Sequence, residues 1–293
     1  MTIHPYSRET WFHRIGEFLD RHYRPGNDDG NWLQPAWEYM HFHPAIDEDH
    51  LDRCAVWEEH DEIAGVAHYE WSLGEAFFQV APDRQELKPA MLDHVEAHMR
   101  GSDERGEYVA AYCGDADHAF AAELARRGYS REAGGDRPLT MIDLRRNLDY
   151  DLPGGFRIQS LADENDLAKI DRCLWRGFDH EGEPDGDLDA RRLMQSGPKF
   201  RHDLTIVVVE PGGDYVAFSG AWHDRANRFA YIEPVATDPD FRRMGLGRAA
   251  VFEGLRRCVA EGATAGYVGS NLPFYLALGF RALSVSERWI RRW

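Results

Sequence analysis

One segment constrains this chain more than any other: the eighteen residues from Tyr231 to Arg248, YIEPVATDPDFRRMGLGR. It reads as a β-strand ending near Thr237, a turn marked by Pro239, and a glycine- and arginine-rich loop opening a helix from about Gly245 to Ala260. The first turn of a helix leaves backbone N–H groups without intrahelical acceptors, and the peptide dipoles give that end partial positive charge. Gly245 and Gly247 let the backbone approach an anion closely, while Arg242, Arg243 and Arg248 add formal charge. The segment therefore predicts a cradle for a phosphate or pyrophosphate. The GxxxxGK[ST] phosphate loop does not occur. A dinucleotide fingerprint stays formally open through Ala250, but the acidic residue it needs about twenty positions later is missing.

The surrounding pattern predicts an α+β unit. A strand over 156–161 is followed by a helix through Asp166 to Trp175, with Asp163 as a candidate cap. Strands follow at 204–209, 215–222 and 229–235, the first two joined by a turn at Pro211 to Asp214. After the glycine loop and its helix come a strand at 262–268, a short helix at 273–278 and a last strand at 280–289. The first half repeats this order: helix 9–22, strands 53–58, 63–71 and 75–80, helix 89–100, strand 108–112 and helix 117–127. Leu124-Ala-Arg-Arg-Gly-Tyr129 answers Leu276-Ala-Leu-Gly-Phe280, so the chain reads as two copies of one unit. The Pro153-Gly154-Gly155 turn suggests a seam, with domains at 1–150 and 151–293.

Charge narrows the function. The chain of 293 residues has a formal net charge of −17, of which −15 falls in residues 1–150 and −2 in 151–293. Such a surface repels phosphate backbones, which argues against nucleic acid and favours a cationic small molecule. No run approaches the length of a membrane span, and the N-terminus lacks a signal-peptide profile, so a cytoplasmic protein with no membrane partner is expected. Cys54, Cys113, Cys173 and Cys258 lie far apart, and no metal site is expected from them or from His41 and His43, placed on an extended segment near Trp32 and Trp37.

The order Arg242-x-x-Gly245-x-Gly247, its lead-in Val235-Ala-Thr-Asp-Pro239 and the ending Asn271-Leu-Pro-Phe-Tyr-Leu-Ala-Leu-Gly-Phe280 resemble the signature of GNAT acetyltransferases across 154–293. The resemblance implies acetyl-CoA as cosubstrate. Its pyrophosphate would lie on the backbone of Arg243, Met244, Gly245, Leu246, Gly247 and Arg248 after Arg242. Its pantetheine arm would lie along Val235, Ala236 and Thr237, with Asn271 nearby. The implied reaction is direct attack of a neutral amine of a small acceptor on the acetyl thioester. Val235 N–H is then the oxyanion donor and Tyr275 the acid for the departing thiolate. Glu233, two residues before Val235 and on its face if the strand alternates, is the candidate base.

In the first half the glycine loop is replaced by Val80-Ala-Pro-Asp-Arg-Gln-Glu-Leu-Lys-Pro-Ala90, where Leu87 and Pro89 stand for the glycines and Asp83 and Glu86 add negative charge. That half reads as a degenerate GNAT-like domain without CoA binding, in a tandem arrangement similar to mycothiol synthase and related two-domain members. The acidic run Asp179 to Asp189 falls where the family places a variable acceptor loop. A non-catalytic CoA-binding or scaffolding protein is the alternative, acetylation of protein amines stays open, and a monomer or homodimer is expected.

Overall fold

A computed structural model describes residues 1–27 and 29–293. It divides into two compact units, Met1–His41 with Ala45–Leu139 and Ala282–Trp293, and Phe42–Pro44 with Thr140–Arg281. Apart from the short excursion at 42–44, the chain thus changes unit at 139/140 and again at 281/282. The seam itself is packed within the second unit: Leu148 is buried among Val251, Phe252 and Leu255. The Tyr150 hydroxyl donates to Glu253 at 3.0 Å.

The first unit contains β1 (Thr2–Pro5), α1 (Arg8–His22), α2 (Gln34–His41), β2 (Ala55–Glu59), β3 (Glu62–His68), β4 (Glu75–Val80), α3 (Lys88–His98), β5 (Gly101–Asp103), β6 (Gly106–Gly114), α4 (His118–Arg126) and β7 (Ser130–Arg131). Helix α1 buries Trp11, Phe12, Ile15, Phe18 and Leu19, one helical stripe. The second unit contains β8 (Arg137–Asp143, through its residues from Thr140 on), β9 (Arg157–Ser160), α5 (Leu167–Gly177), α6 (Asp189–Gln195), β10 (Ile206–Val209), β11 (Tyr215–Asp224), β12 (Phe229–Thr237), α7 (Leu246–Ala260), β13 (Ala265–Val268) and α8 (Pro273–Leu278). The last strand, β14 (Arg281–Arg292), lies in the first unit from Ala282 on.

Both sheets follow one plan. In the second unit the order is β9-β10-β11-β12-β13-β8, antiparallel except for β12 with β13. In the first it is β1-β2-β3-β4-β6-β14, antiparallel except for β4 with β6. The strand beside β13 comes from the first half of the sequence and the strand beside β6 from the last residues of the chain. The run 280–289 therefore does not close the second repeat, as its position in sequence suggests, but the first.

The second sheet is covered on both faces. Val207 and Val209 share a cluster with Ile170, Cys173 and Leu174 of α5. Ile206 and Val208 pack with Leu246 and Ala250 of α7. Period-2 alternation sends successive residues to opposite helices, which is why this β-branched strand is apolar throughout.

Two local readings change. The side chain of Asp166, not Asp163, caps α5 by accepting from the N–H groups of Ala168 and Lys169. Asp163 accepts from Ser160 N and Oγ instead, closing the turn before the helix. Residues 34–41 are helical rather than extended, and His41 is buried, its Nδ1 2.9 Å from the Trp37 carbonyl and its Nε2 2.7 Å from the Tyr6 hydroxyl. Among the described residues no helix is long and apolar enough to cross a membrane.

Burial holds two first-unit imidazoles neutral, pushing His68 down to about 4 and His41 to about 3. An unfolded histidine protonates near pH 6.5. The unfolded chain therefore binds more protons below that pH, and stability present above it is lost as pH falls towards about 4. The urea midpoint is expected to drop across this window, with a shallower slope in His68→Gln. A slope unchanged by that substitution contradicts the assignment.

Candidate active site

The site begins where two parallel strands part. Pairing of β12 with β13 covers Phe229 to Tyr231, yet β12 runs on beside β11 to Thr237. Asp238 N–H donates to the Val216 carbonyl at 3.0 Å. Hydrogen-bonded and non-hydrogen-bonded pairs alternate in an antiparallel ladder. That bond therefore makes Val235↔Ser219 and Thr237↔Ala217 the non-hydrogen-bonded pairs. The N–H and C=O groups of Val235 and Thr237 then point away from β11, towards the parting, and neither amide has an acceptor among the described residues. Ala236 lies between them, its side chain buried in the α5 cluster.

The end of this strand is clamped. Asp238, buried, accepts from Arg176 Nε at 2.6 Å and Nη2 at 3.1 Å, and from Asp240 N–H at 3.0 Å. Burial opposes its charge most strongly, but the Arg176 fork, the Asp240 N–H and the Arg172 charge together hold the carboxyl below its ordinary range. Gly177 ends α5 against the strand, where a Cβ would lie 2.6 Å from that of Ala236.

The loop then turns through two left-handed residues, Arg243 at φ 67° and Gly245 at φ 84°, before α7 starts at Leu246. Ala249 N–H is the first in α7 to reach back, bonding the Gly245 carbonyl at 3.0 Å. The backbone N–H groups of Arg243, Met244, Gly245, Leu246, Gly247 and Arg248 have no acceptor among the described residues. Six successive donors at a helix N-terminus are an arrangement suited to an anion. Arg242 is occupied otherwise. Its guanidinium donates to the carbonyls of Thr237 (3.2 Å) and Gly177 (2.9 Å) and pairs with Asp179 (2.9 Å), so it braces the loop. Arg248 donates to the Asp149 carbonyl at 3.0 Å.

Gly247 is fixed by contact. A Cβ there would meet Thr237 Oγ1 at 2.8 Å and the Phe274 ring at 3.3 Å. Gly247→Ala is expected to lower unfolding stability by about 1–3 kcal/mol through overpacking. A urea midpoint equal to wild type contradicts that contact.

Tyr275, on α8, has its ring in the core cluster with Ile232, Phe252 and Phe280, and its hydroxyl makes no hydrogen bond to a described residue. Burial first, and the Glu233 carboxylate second, push its pKa up. The phenol therefore stays protonated at neutral pH, and Glu233 is close enough for its charge to be felt there. The alternation argument for Glu233 does not hold. Ile232 pairs with Ala221 and Val235 with Ser219, three steps against two, so a bulge interrupts the strand at 233–234. Val235 consequently shares the face of Ile232, and both pack with the α7 cluster. The Trp222 indole holds the bulge by donating to the Glu233 carbonyl at 3.0 Å. At Gly220, opposite, any Cβ would fall 2.3 Å from that same oxygen. Asn271 is exposed in the link between β13 and α8. Sequence reasoning missed Trp222, Gly220 and Arg176, and a buried tryptophan or lone glycine carries no signal of its own there.

The matching loop in the first unit is closed on itself. Arg84 N–H bonds the Ala81 carbonyl and Leu87 N–H that of Arg84, both at 2.9 Å, while Lys88 N–H bonds Gln85 and Pro89 has no N–H. Arg84 pairs with Glu59 at 2.6 Å.

In the acidic run, Asp179, Glu183 and Asp189 pair with Arg242, Arg172 and Arg192, while Glu181, Asp185 and Asp187 have no cation partner among the described residues. No group of three His, Cys, Asp or Glu side chains is placed to hold a metal ion among the described residues.

Comparison with known proteins agrees with this geometry. Residues 165–280 match the model of the acetyltransferase (GNAT) family. A comparison with curated proteins found no match. The chain is similar in structure to the tandem GNAT protein from the clavulanic acid biosynthesis pathway, with TM-score 0.66, 14% identity, and coverage of 99% of this chain and 98% of that one. It is also similar to a GCN5-related N-acetyltransferase from Sphaerobacter thermophilus, with TM-score 0.62, 13% identity, and coverage of 99% and 95%. At such identities the structural likeness speaks for the fold, while the family match speaks for the second unit. The chain has the fold of tandem GNAT proteins, and residues 165–280 of its second unit match the GNAT acetyltransferase family.

Proposed function

We propose that this protein is an acetyl-CoA-dependent N-acetyltransferase whose second unit acts on a primary amine of a small cationic molecule. The observation that carries the reading is a pair of donor sets without an acceptor among the described residues, Val235 and Thr237 on the strand and the six amides at 243–248 beyond its end. It suits an elongated ligand with an amide-bearing arm at one end and a pyrophosphate further along. Val235 and Thr237 would pair with the arm as with an added strand. The loop amides would hold the pyrophosphate, with Asn271 beside the arm.

Bound acetyl-CoA supplies a thioester whose acetyl carbon accepts an amine. The chain's own residues do the rest. Val235 N–H would stabilise charge developing on the acyl oxygen. Glu233 would take the proton that the ammonium must lose, directly or through water. Tyr275, kept protonated by burial, would donate to the departing sulfur. The net charge of −17 and the unpaired acids Glu181, Asp185 and Asp187 favour a cationic acceptor.

The test is free-thiol release with acetyl-CoA and a panel of polyamines, amino sugars and amino acid amides. Tyr275→Phe is expected to lower kcat by about 100-fold, with KM for acetyl-CoA within about twofold of wild type. Glu233→Gln is expected to lower kcat/KM and to remove the acidic limb of its pH profile. Turnover unaffected by either change removes these residues from the mechanism. A separate change, Asp185→Asn with Asp187→Asn, is expected to raise KM for a cationic acceptor, and an unchanged KM removes the acidic run from acceptor binding.

A further inference from the structure

The first unit has the same parting of strands. Pairing of β4 with β6 is confined to Glu75 and Ala76, while β4 continues to Val80 beside β3. Ala81 N–H donates to the Ala64 carbonyl at 2.9 Å, which makes the neighbouring pair Val80↔Gly65 non-hydrogen-bonded. The N–H and C=O of Val80 therefore point away from β3, as those of Val235 point away from β11. Here they are not open. Asn31 Oδ1 accepts from Val80 N–H at 2.7 Å, and Asn31 Nδ2 donates to the Val80 carbonyl at 3.0 Å.

A side-chain carboxamide has the same donor and acceptor as a peptide group, so Asn31 satisfies this edge as one link of a neighbouring strand would. A buried relay fixes it there. Trp32 N–H donates to Gln79 Oε1 at 2.6 Å, and Gln79 Nε2 donates to His68 Nε2 at 2.9 Å. His68 Nδ1 in turn donates to the Tyr69 carbonyl at 2.9 Å, which sets the tautomer in which Nε2 accepts. The Trp32 ring stands edge-on to His68 and Phe77, with centroids 4.7 and 4.8 Å away. Asn31, Gln79 and His68 are all buried. What remains beside the parting is a cavity of about 20 Å³, bordered by Gly30, Phe77, Gln79, Lys88 and Tyr112, room for about one water.

We propose that Asn31 is a built-in occupant of the first unit's strand parting, holding closed against an amide-bearing arm the slot whose counterpart in the second unit is open. Calling the slot's counterpart a pantetheine site rests on the proposed function; the occupation of Val80 by Asn31 does not. The closure, together with a loop whose amides bond one another, confines acyl-CoA to the second unit and leaves the first a self-satisfied copy of the fold.

Hydrogen exchange read by mass spectrometry on the full chain tests this, using acetyl-CoA as the probe. Without ligand, a peptide spanning 76–82 is expected to exchange slowly in wild type and about tenfold faster in Asn31→Ala, the size of one lost backbone partner. Unchanged exchange overturns the proposal. Should Asn31→Ala fail to fold, Asn31→Asp keeps the acceptor for Val80 N–H and removes the donor to its carbonyl. Its 76–82 peptide is expected to exchange faster than wild type by less than tenfold, and no difference overturns the proposal. With acetyl-CoA added to wild type, 76–82 is expected to be unaffected while 235–248 gains protection. Protection of 76–82 by acetyl-CoA overturns the closure. Protection of neither segment defeats the proposed function and leaves the exchange comparison between variants to decide on Asn31.

Discussion

Everything distinctive in this structure depends on a pair of parallel strands that stop pairing partway along. A parted pair leaves backbone N–H and C=O groups inside the fold, and such groups must find partners. The two units meet that requirement differently from similar frameworks. In the first, the Val80 groups are taken by Asn31. In the second, the Val235 and Thr237 amides have no acceptor among the described residues, and neither do the six amides at 243–248. The fold thus satisfies one copy internally and leaves donors of the other open.

Keeping an edge open requires rigid support, and the second unit supplies it at both ends. Where β12 departs from regular pairing, the Trp222 indole and the absence of a side chain at Gly220 hold the Glu233 carbonyl. Where the strand ends, the Arg176 fork fixes Asp238, and Arg242 ties the loop to Thr237 and Gly177. Gly247 lets the first turn of α7 lie against Thr237 Oγ1. Arginine is structural in this loop. Arg242 braces it, while the donors proposed to meet the ligand are backbone amides, which only proline or a change in backbone path removes, as Pro89 and the loop at 81–90 illustrate.

Much of this was legible in sequence because it follows from local rules. The strand, glycine loop and helix of 231–260 announce themselves by composition and period, and α8 lies where its pattern and Gly279 put it. What the residues could not disclose is long-range. The strand at 281–292 has the same alternation whichever sheet receives it, so its place beside β6 is invisible locally. The strand at 137–143 gave no distinct signal, yet its Thr140 to Asp143 pair with β13. Alternation placed Glu233 on the face of Val235, and the bulge opposite Gly220, a matter of register between two strands, removed that argument. Asn31 illustrates the same limit: a lone asparagine in a loop reads as a turn residue until its distance from Val80 is known.

The central claim is that the second unit alone carries an open acyl-CoA cradle built from backbone amides. Calorimetric titration of acetyl-CoA into wild type and into Gly245→Trp tests it most directly, because position 245 has φ 84° and opens onto solvent, where a large side chain covers the loop rather than the core. One site per chain is expected in wild type and none in the variant. Two sites per chain, or one that survives Gly245→Trp, would contradict it.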